Sequence, residues 1–191
     1  MNPSAMELAV AEMLSHLGVD QTSEHFLRTP YRFATWLQTY KVPTHEEETT
    51  ALSAMLSVQF TEAHDELVAV TNVSFRSLCA HHLLPFTGTA SIAYIPNGKI
   101  VGVSKLVRAL RYVAQRPTVQ ESITRQLADT LEYYLEPRGV MVVLKAHHQC
   151  MSLRGVEDPH VNMVTSAVRG YFLSNDAGCK DEFLSLCQLG G

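Results

Sequence analysis

Two short stretches hold the side chains best suited to chemistry. Residues 77–87 read S-L-C-A-H-H-L-L-P-F-T and place Cys79, His81 and His82 within four residues. Far downstream, residues 146–155 read A-H-H-Q-C-M-S-L-R-G and group His147, His148 and Cys150. Two half-sites of nitrogen and sulfur donors, well separated in the chain, point to one metal site closed by the fold. Zinc accepts Cys thiolate and His nitrogen, and a catalytic zinc keeps three protein ligands plus a water. The expected ligands are Cys79, His82 and Cys150. Cys79 and His82 are three apart, so a tight turn aims both at one ion. His148 and Cys150 are two apart, so on a strand they share a face. A lone Cys or His would be read as an inert core residue. Two such clusters in a chain with four cysteines outweigh that reading.

The elements that must position these groups follow from pattern. The chain has 191 residues, 46% of them apolar, enough for one globular domain with a helical appendage. The expected division is an N-terminal helical region over 1–58 and a single unit over 59–191. No apolar run approaches a membrane span. The first residues lack a basic region followed by an apolar one, so no signal peptide is expected, and free thiols suit a reducing, cytoplasmic setting. A formal net charge of −4 argues against a general nucleic-acid binder.

Asn2-Pro3 and Thr29-Pro30 read as helix starts. Thr44 with Glu47 reads as a capping box opening a helix to about Leu56. Period-two patterning then predicts strands over 66–78, 89–95, 140–144 and 161–172. Between the second and third, Ser104 is expected to cap one helix and Thr118 to open another, and a short helix closes the chain. The order implies an α+β fold: a four-stranded antiparallel sheet backed by helices on one face, with an N-terminal helical extension.

Two further sites carry chemistry. Ser104, Lys105 and Arg108 cluster at a helix start, where backbone N–H groups and two cations favour a phosphate; taken alone, a solvated basic face is the commoner reading. Gln120-Glu121 offers a carboxylate that can accept two hydrogen bonds from a guanine N1–H and 2-amino group, although acidic residues in a first helical turn are common. Arg154 lies four residues past Cys150.

C-x-H-H, G-V-S-K-L-x-R, Q-R-P-x-V-Q-E and H-x-C-x-x-x-R-G, in that order, closely resemble GTP cyclohydrolase I. The resemblance runs from about residue 66 to 172, with a weaker match at Arg28-Thr29-Pro30-x-Arg32. It implies the tunnelling fold, a decamer of two stacked rings with active sites between subunits, and conversion of GTP to 7,8-dihydroneopterin triphosphate and formate. It implies Zn2+ on Cys79, His82 and Cys150, and proton handling around the base by His81 and His148. Glu121 would hold the guanine edge, with Gln120 beside it among the catalytic groups. Ser104, Lys105, Arg108, Arg154 and Arg32 would contact ribose and triphosphate. The product would feed folate, another pterin cofactor or a deazapurine.

The chain departs from the family pattern at Ala80, where the family has Glu, and at Thr35, where it has a basic residue. These departures keep other readings in view: a relative that stops at a formamide intermediate, or a non-catalytic GTP-binding oligomer. A purely structural zinc protein would need a fourth ligand, which His81, His147 or His148 could supply.

Overall fold

The computed structural model of the protein describes residues 4–174 and 178–189. The chain forms two compact units, Met1–Lys41 and Val42–Gly191. In the first, helix α1 (Ala5–His16) packs against α2 (Thr29–Gln38). The expected start at Asn2-Pro3 lies outside the described residues. Ser4 is the N-cap of α1, and its hydroxyl accepts from the Glu7 amide at 3.2 Å while Glu7 reaches back to the Ser4 amide, a reciprocal capping box. Thr29 is the first helical residue of α2 rather than its cap, a place taken by Arg28, and Pro30 follows in the first turn, where a missing N–H costs nothing.

The second unit opens with α3 (His45–Leu56), capped by Thr44 and Glu47 as their spacing predicts. Its main sheet has the four expected antiparallel strands and a fifth, short one that the sequence did not suggest, in the order β5-β2-β3-β6-β7. Strands β2 (Val68–Cys79), β3 (Pro85–Ile95), β6 (Gly139–His148) and β7 (Met163–Gly170) are antiparallel. The two-residue β5 (Pro117–Thr118) lies parallel to the end of β2. A separate pair joins β1 (Gln59–Thr61) to β4 (Lys99–Val101). Helices α4 (Val103–Ala114) and α5 (Gln120–Leu135) cross the sheet, a short helical turn α6 (Gln149–Ser152) follows β6, and α7 (Cys179–Leu189) ends the described chain.

Side-chain alternation assigns the two faces of the sheet. Ala90, Ile92 and Tyr94 of β3 and Val140, Val142 and Leu144 of β6 meet Leu106, Leu110 and Val113 of α4 and Ile123, Leu127 and Leu131 of α5. Burying a Leu or Ile of this kind contributes about 1.5–3 kcal/mol. On the opposite face Ala93, Ile95 and Met141 gather with Phe172 and Phe183. Helices α4 and α5 therefore pack on one face, and α7 adds cover to part of the other.

Strand β2 carries a β-bulge. Val70 pairs with Ile92 and Val73 with Ala90, so Thr71 and Asn72 stand opposite Ser91 alone. Asn72 takes a positive φ of 55° there, a conformation Asn tolerates. The bulge lets Val68 and Val70 share the main core with Val73 and Phe75 although their parity differs.

Strands β3 and β6 run longer than expected, β3 from Pro85 and β6 to His148. Three further features near the site also differ. Ser104 is not the cap of α4: the backbone turns one residue after β4, Gly102 is the N-cap, and Ser104 is the second helical residue. Thr118 does not open α5, because it is held in β5 beside Cys79; the helix begins at Gln120 with Val119 before it. His148 and Cys150 do not share a strand face, since β6 ends at His148 and Cys150 sits in the α6 turn.

Candidate active site and metal centre

The Cys79–His82 spacing is realised as a turn between β2 and β3. The Leu83 amide donates to Cys79 O at 2.8 Å, and the Cys79 amide donates to Leu84 O at 2.9 Å. Leu83 closes this loop with a φ of 54°. The Ala80 amide donates to Thr118 O at 3.0 Å, which ties the loop to β5. Gly88 sits just beyond: a Cβ there would lie 2.0 Å from Lys145 O, so glycine is required where β3 and β6 approach. Two residues away, Phe86 pairs with His148 across the same strands.

These elements bring the two half-sites together. Cys79 Sγ lies 3.8 Å from Cys150 Sγ and 3.7 Å from His82 Nδ1, and the donor atoms of the three residues all lie within 4.8 Å of one another. Neighbouring ligand atoms around a tetrahedral zinc, with bonds of about 2.3 Å to sulfur and 2.0–2.1 Å to nitrogen, stand about 3.4–3.8 Å apart. The spacing and the soft donor set both fit such an ion. Cys79 and Cys150 are free cysteines. Without a metal, burial and the adjacent Cys79 push the Cys150 thiol up; a bound cation deprotonates such a ligand.

A cavity of about 340 Å³ opens beside the cluster, bordered by Cys79, His81, Glu121, His148 and Cys150 among others. That volume lies within the range of small-ligand pockets. His148 is 9% exposed and stacks on Phe86, with ring centroids 4.3 Å apart and planes inclined by 6°. Burial pulls its pKa below the ordinary imidazole value, with Glu121 opposing that shift and His147 adding to it. His81 approaches Cys79 Sγ with Nδ1 at 3.8 Å. Arg154 Nη1 lies 2.8 Å from His82 Nε2, next to the metal cluster.

The segment bearing Gln120 and Glu121 is fixed from behind. Arg116 pairs with Glu48 at 2.6 Å and donates to Tyr112 O at 3.1 Å, while Ser77 Oγ donates to Arg116 O at 2.9 Å. A buried cation so held sets where β5 and the start of α5 lie relative to the end of β2.

Not every expected site residue meets at this cavity. Cys79, His81, Glu121, His148 and Cys150 border it, and His82 joins through the metal cluster. Ser104, Lys105 and Arg108 do not border it; they lie along α4, whose first turn has no side-chain cap. Arg32 belongs to α2 in the first unit and is exposed. Sequence reasoning missed Phe86, which stacks on His148, and Thr118, Met151 and Met163, which complete the wall. Phe86 stood within the first motif, but its partner depends on the β3–β6 register, which no local pattern reveals.

Comparison with known proteins is consistent across the chain. A family model described as GTP cyclohydrolase I matches residues 6–188. A GTP cyclohydrolase 1 from Bacillus pumilus (strain SAFR-032) is 44% identical over 186 residues, covering 97% of this chain and 96% of that protein. One from Geobacillus kaustophilus (strain HTA426) is 43% identical over 187 residues, covering 97% of each chain. The Bacillus subtilis (strain 168) GTP cyclohydrolase 1 is 43% identical over 185 residues, covering 96% of this chain and 95% of that protein.

Proposed function

We propose a function from one premise: this chain belongs to the GTP cyclohydrolase I family. Its α+β architecture is that family's tunnelling fold. The protein is a hydrolase that converts GTP to 7,8-dihydroneopterin triphosphate and formate, a step of pterin and folate biosynthesis. The observation that carries this reading is the convergence of the Cys79–His82–Cys150 cluster, His148 and Glu121 on one cavity.

The residues divide the work. Cys79, His82 and Cys150 hold zinc, and zinc bound there supplies Lewis-acid activation of a water. Glu121 accepts hydrogen bonds from the guanine N1–H and 2-amino group. His148, stacked on Phe86, and His81 on the exposed loop exchange protons with the imidazole ring of the base as it opens. GTP brings about four negative charges near neutral pH. Arg154 beside the cluster, Lys105 and Arg108 on α4, and Arg32 on α2 neutralise them. Ser104 and the uncapped N–H groups of α4 add donors.

Formate measures how far the reaction runs. One formate released per GTP consumed is expected. GTP loss without formate would instead indicate a relative that stops at the formamide, the outcome to which the Ala80 departure draws attention.

Ser104, Lys105 and Arg108 stand on α4 and do not border the metal cavity, and this favours a shared site. The main sheet leaves edges at β7 and along most of β2. Open edges are a hazard that proteins cover, and pairing around a closed ring covers both. The assembly is a homo-oligomer, a decamer by resemblance to the family. No described helix is long and apolar enough to cross a membrane, and the unpaired thiols suit the cytoplasm. Inactive Cys150→Ala and Arg32→Ala chains, dissociated and reassembled together, are expected to regain part of the activity. A monomer by light scattering with full turnover would contradict the shared site.

A further inference from the structure

Gln120 opens α5 next to Glu121 and touches the cavity wall, yet it is fully buried. Its amide nitrogen has two hydrogens to share among three acceptors. Gln120 Nε2 lies 3.2 Å from Leu144 O, 3.1 Å from Met163 O and 3.0 Å from Thr165 Oγ1. Main-chain carbonyls only accept, so the amide nitrogen must occupy that side and the group has one orientation. The hydroxyls behind it agree. Thr124 Oγ1 donates to Gln120 O at 2.9 Å, which uses its hydrogen. Thr165 Oγ1, 2.6 Å from Thr124 Oγ1, must therefore donate to Thr124 and accept from Gln120. Gln120 Oε1 is left facing His148 Nε2 at 2.9 Å. An amide oxygen cannot donate, so His148 Nε2 carries the hydrogen of that bond.

We propose that Gln120 is a positioning residue that acts through His148: its amide holds the imidazole with Nε2–H turned into the protein and leaves Nδ1 as the nitrogen that meets the substrate. Phe86, stacked on the ring, prevents tilt, and the Gln120 hydrogen bond prevents the ring flip that would put Cε1 in place of Nε2 and Cδ2 in place of Nδ1. The side-chain nitrogen of Gln120 is then turned away from the base, towards Leu144 O, Met163 O and Thr165 Oγ1. The proposal rests on the reading that His148 exchanges a proton with GTP.

A double-mutant cycle tests it, with zinc content and assembly measured for every variant. Gln120→Ala is expected to lower kcat roughly tenfold to a hundredfold with KM for GTP unchanged. In the His148→Ala background the same substitution is expected to have no further effect. A raised KM with kcat preserved, or losses that multiply in the double variant, would overturn the proposal. If Gln120→Ala loses zinc or fails to assemble, Gln120→Met, which keeps most of the volume but offers His148 no oxygen, takes its place in the same cycle. If the unaltered protein forms no pterin from GTP, the functional reading has failed instead. The positioning claim is then read from 15N spectra of histidine-labelled full-length protein: a fixed Nε2–H signature for His148, lost in Gln120→Ala, is expected, and an unchanged signature in the variant contradicts it.

Discussion

Cys150→Ala is expected to lose both bound metal and GTP turnover while the chain still folds and assembles. Cys150 is half-buried in the α6 turn and contributes little to the main core, so its loss should not unfold the protein. Its sulfur is one of three donors within 4.8 Å of one another, and two remaining donors form a poor site for a tetrahedral ion. Activity should fall to background, because no other described Cys, His, Asp or Glu completes the cluster. Elemental analysis of the purified variant reads the first effect and a GTP assay the second; undiminished zinc would remove Cys150 from the ligand set. In the unaltered protein, stripping the metal leaves the Cys79 and Cys150 sulfurs 3.8 Å apart, so chelation under oxidising conditions should also expose the pair to disulfide formation.

Glu121→Gln is expected to cost roughly a hundredfold or more in kcat/KM for GTP. The estimate follows from two charge-assisted hydrogen bonds, each worth about 1.5–3 kcal/mol, lost or weakened together. The amide can accept at one position but presents donors to the 2-amino group at the other. A comparable Glu→Gln change at Glu46, in the first turn of α3, is expected to leave kinetics unaltered. Discrimination should change in the same direction: a site built to bond a guanine edge rejects a base that lacks those donors. Equal turnover of ATP and GTP by the unaltered protein would remove Glu121 from this role.

Much of the site was legible in the sequence because its chemistry is local. Cys79, His82 and Cys150 could be singled out by type and clustering, and the turn after β2 follows from a period-two run ending in Cys79. The helix starts near the site were harder to read. Ser104 and Thr118 both carry the hydroxyl of a good cap, yet tertiary pairing of β4 and β5 moved each helix boundary by two residues. The spacing of Cys150 from His148 matches the period of a strand, but the chain turns into α6 at once. The bulge in β2 left a trace, a switch of apolar parity between Val70 and Val73, that a single long strand conceals. The burial of Gln120 had no local signal, for its partners Leu144, Met163 and Thr165 come from β6 and β7.

Conversion of GTP into a pterin at this cavity is the central expectation. Incubating the purified, zinc-loaded protein with GTP, then oxidising and dephosphorylating the product, measures it by neopterin fluorescence. The expected result is neopterin formed in proportion to GTP consumed, and none from Cys150→Ala. GTP left intact by a zinc-replete, assembled protein would contradict the claim.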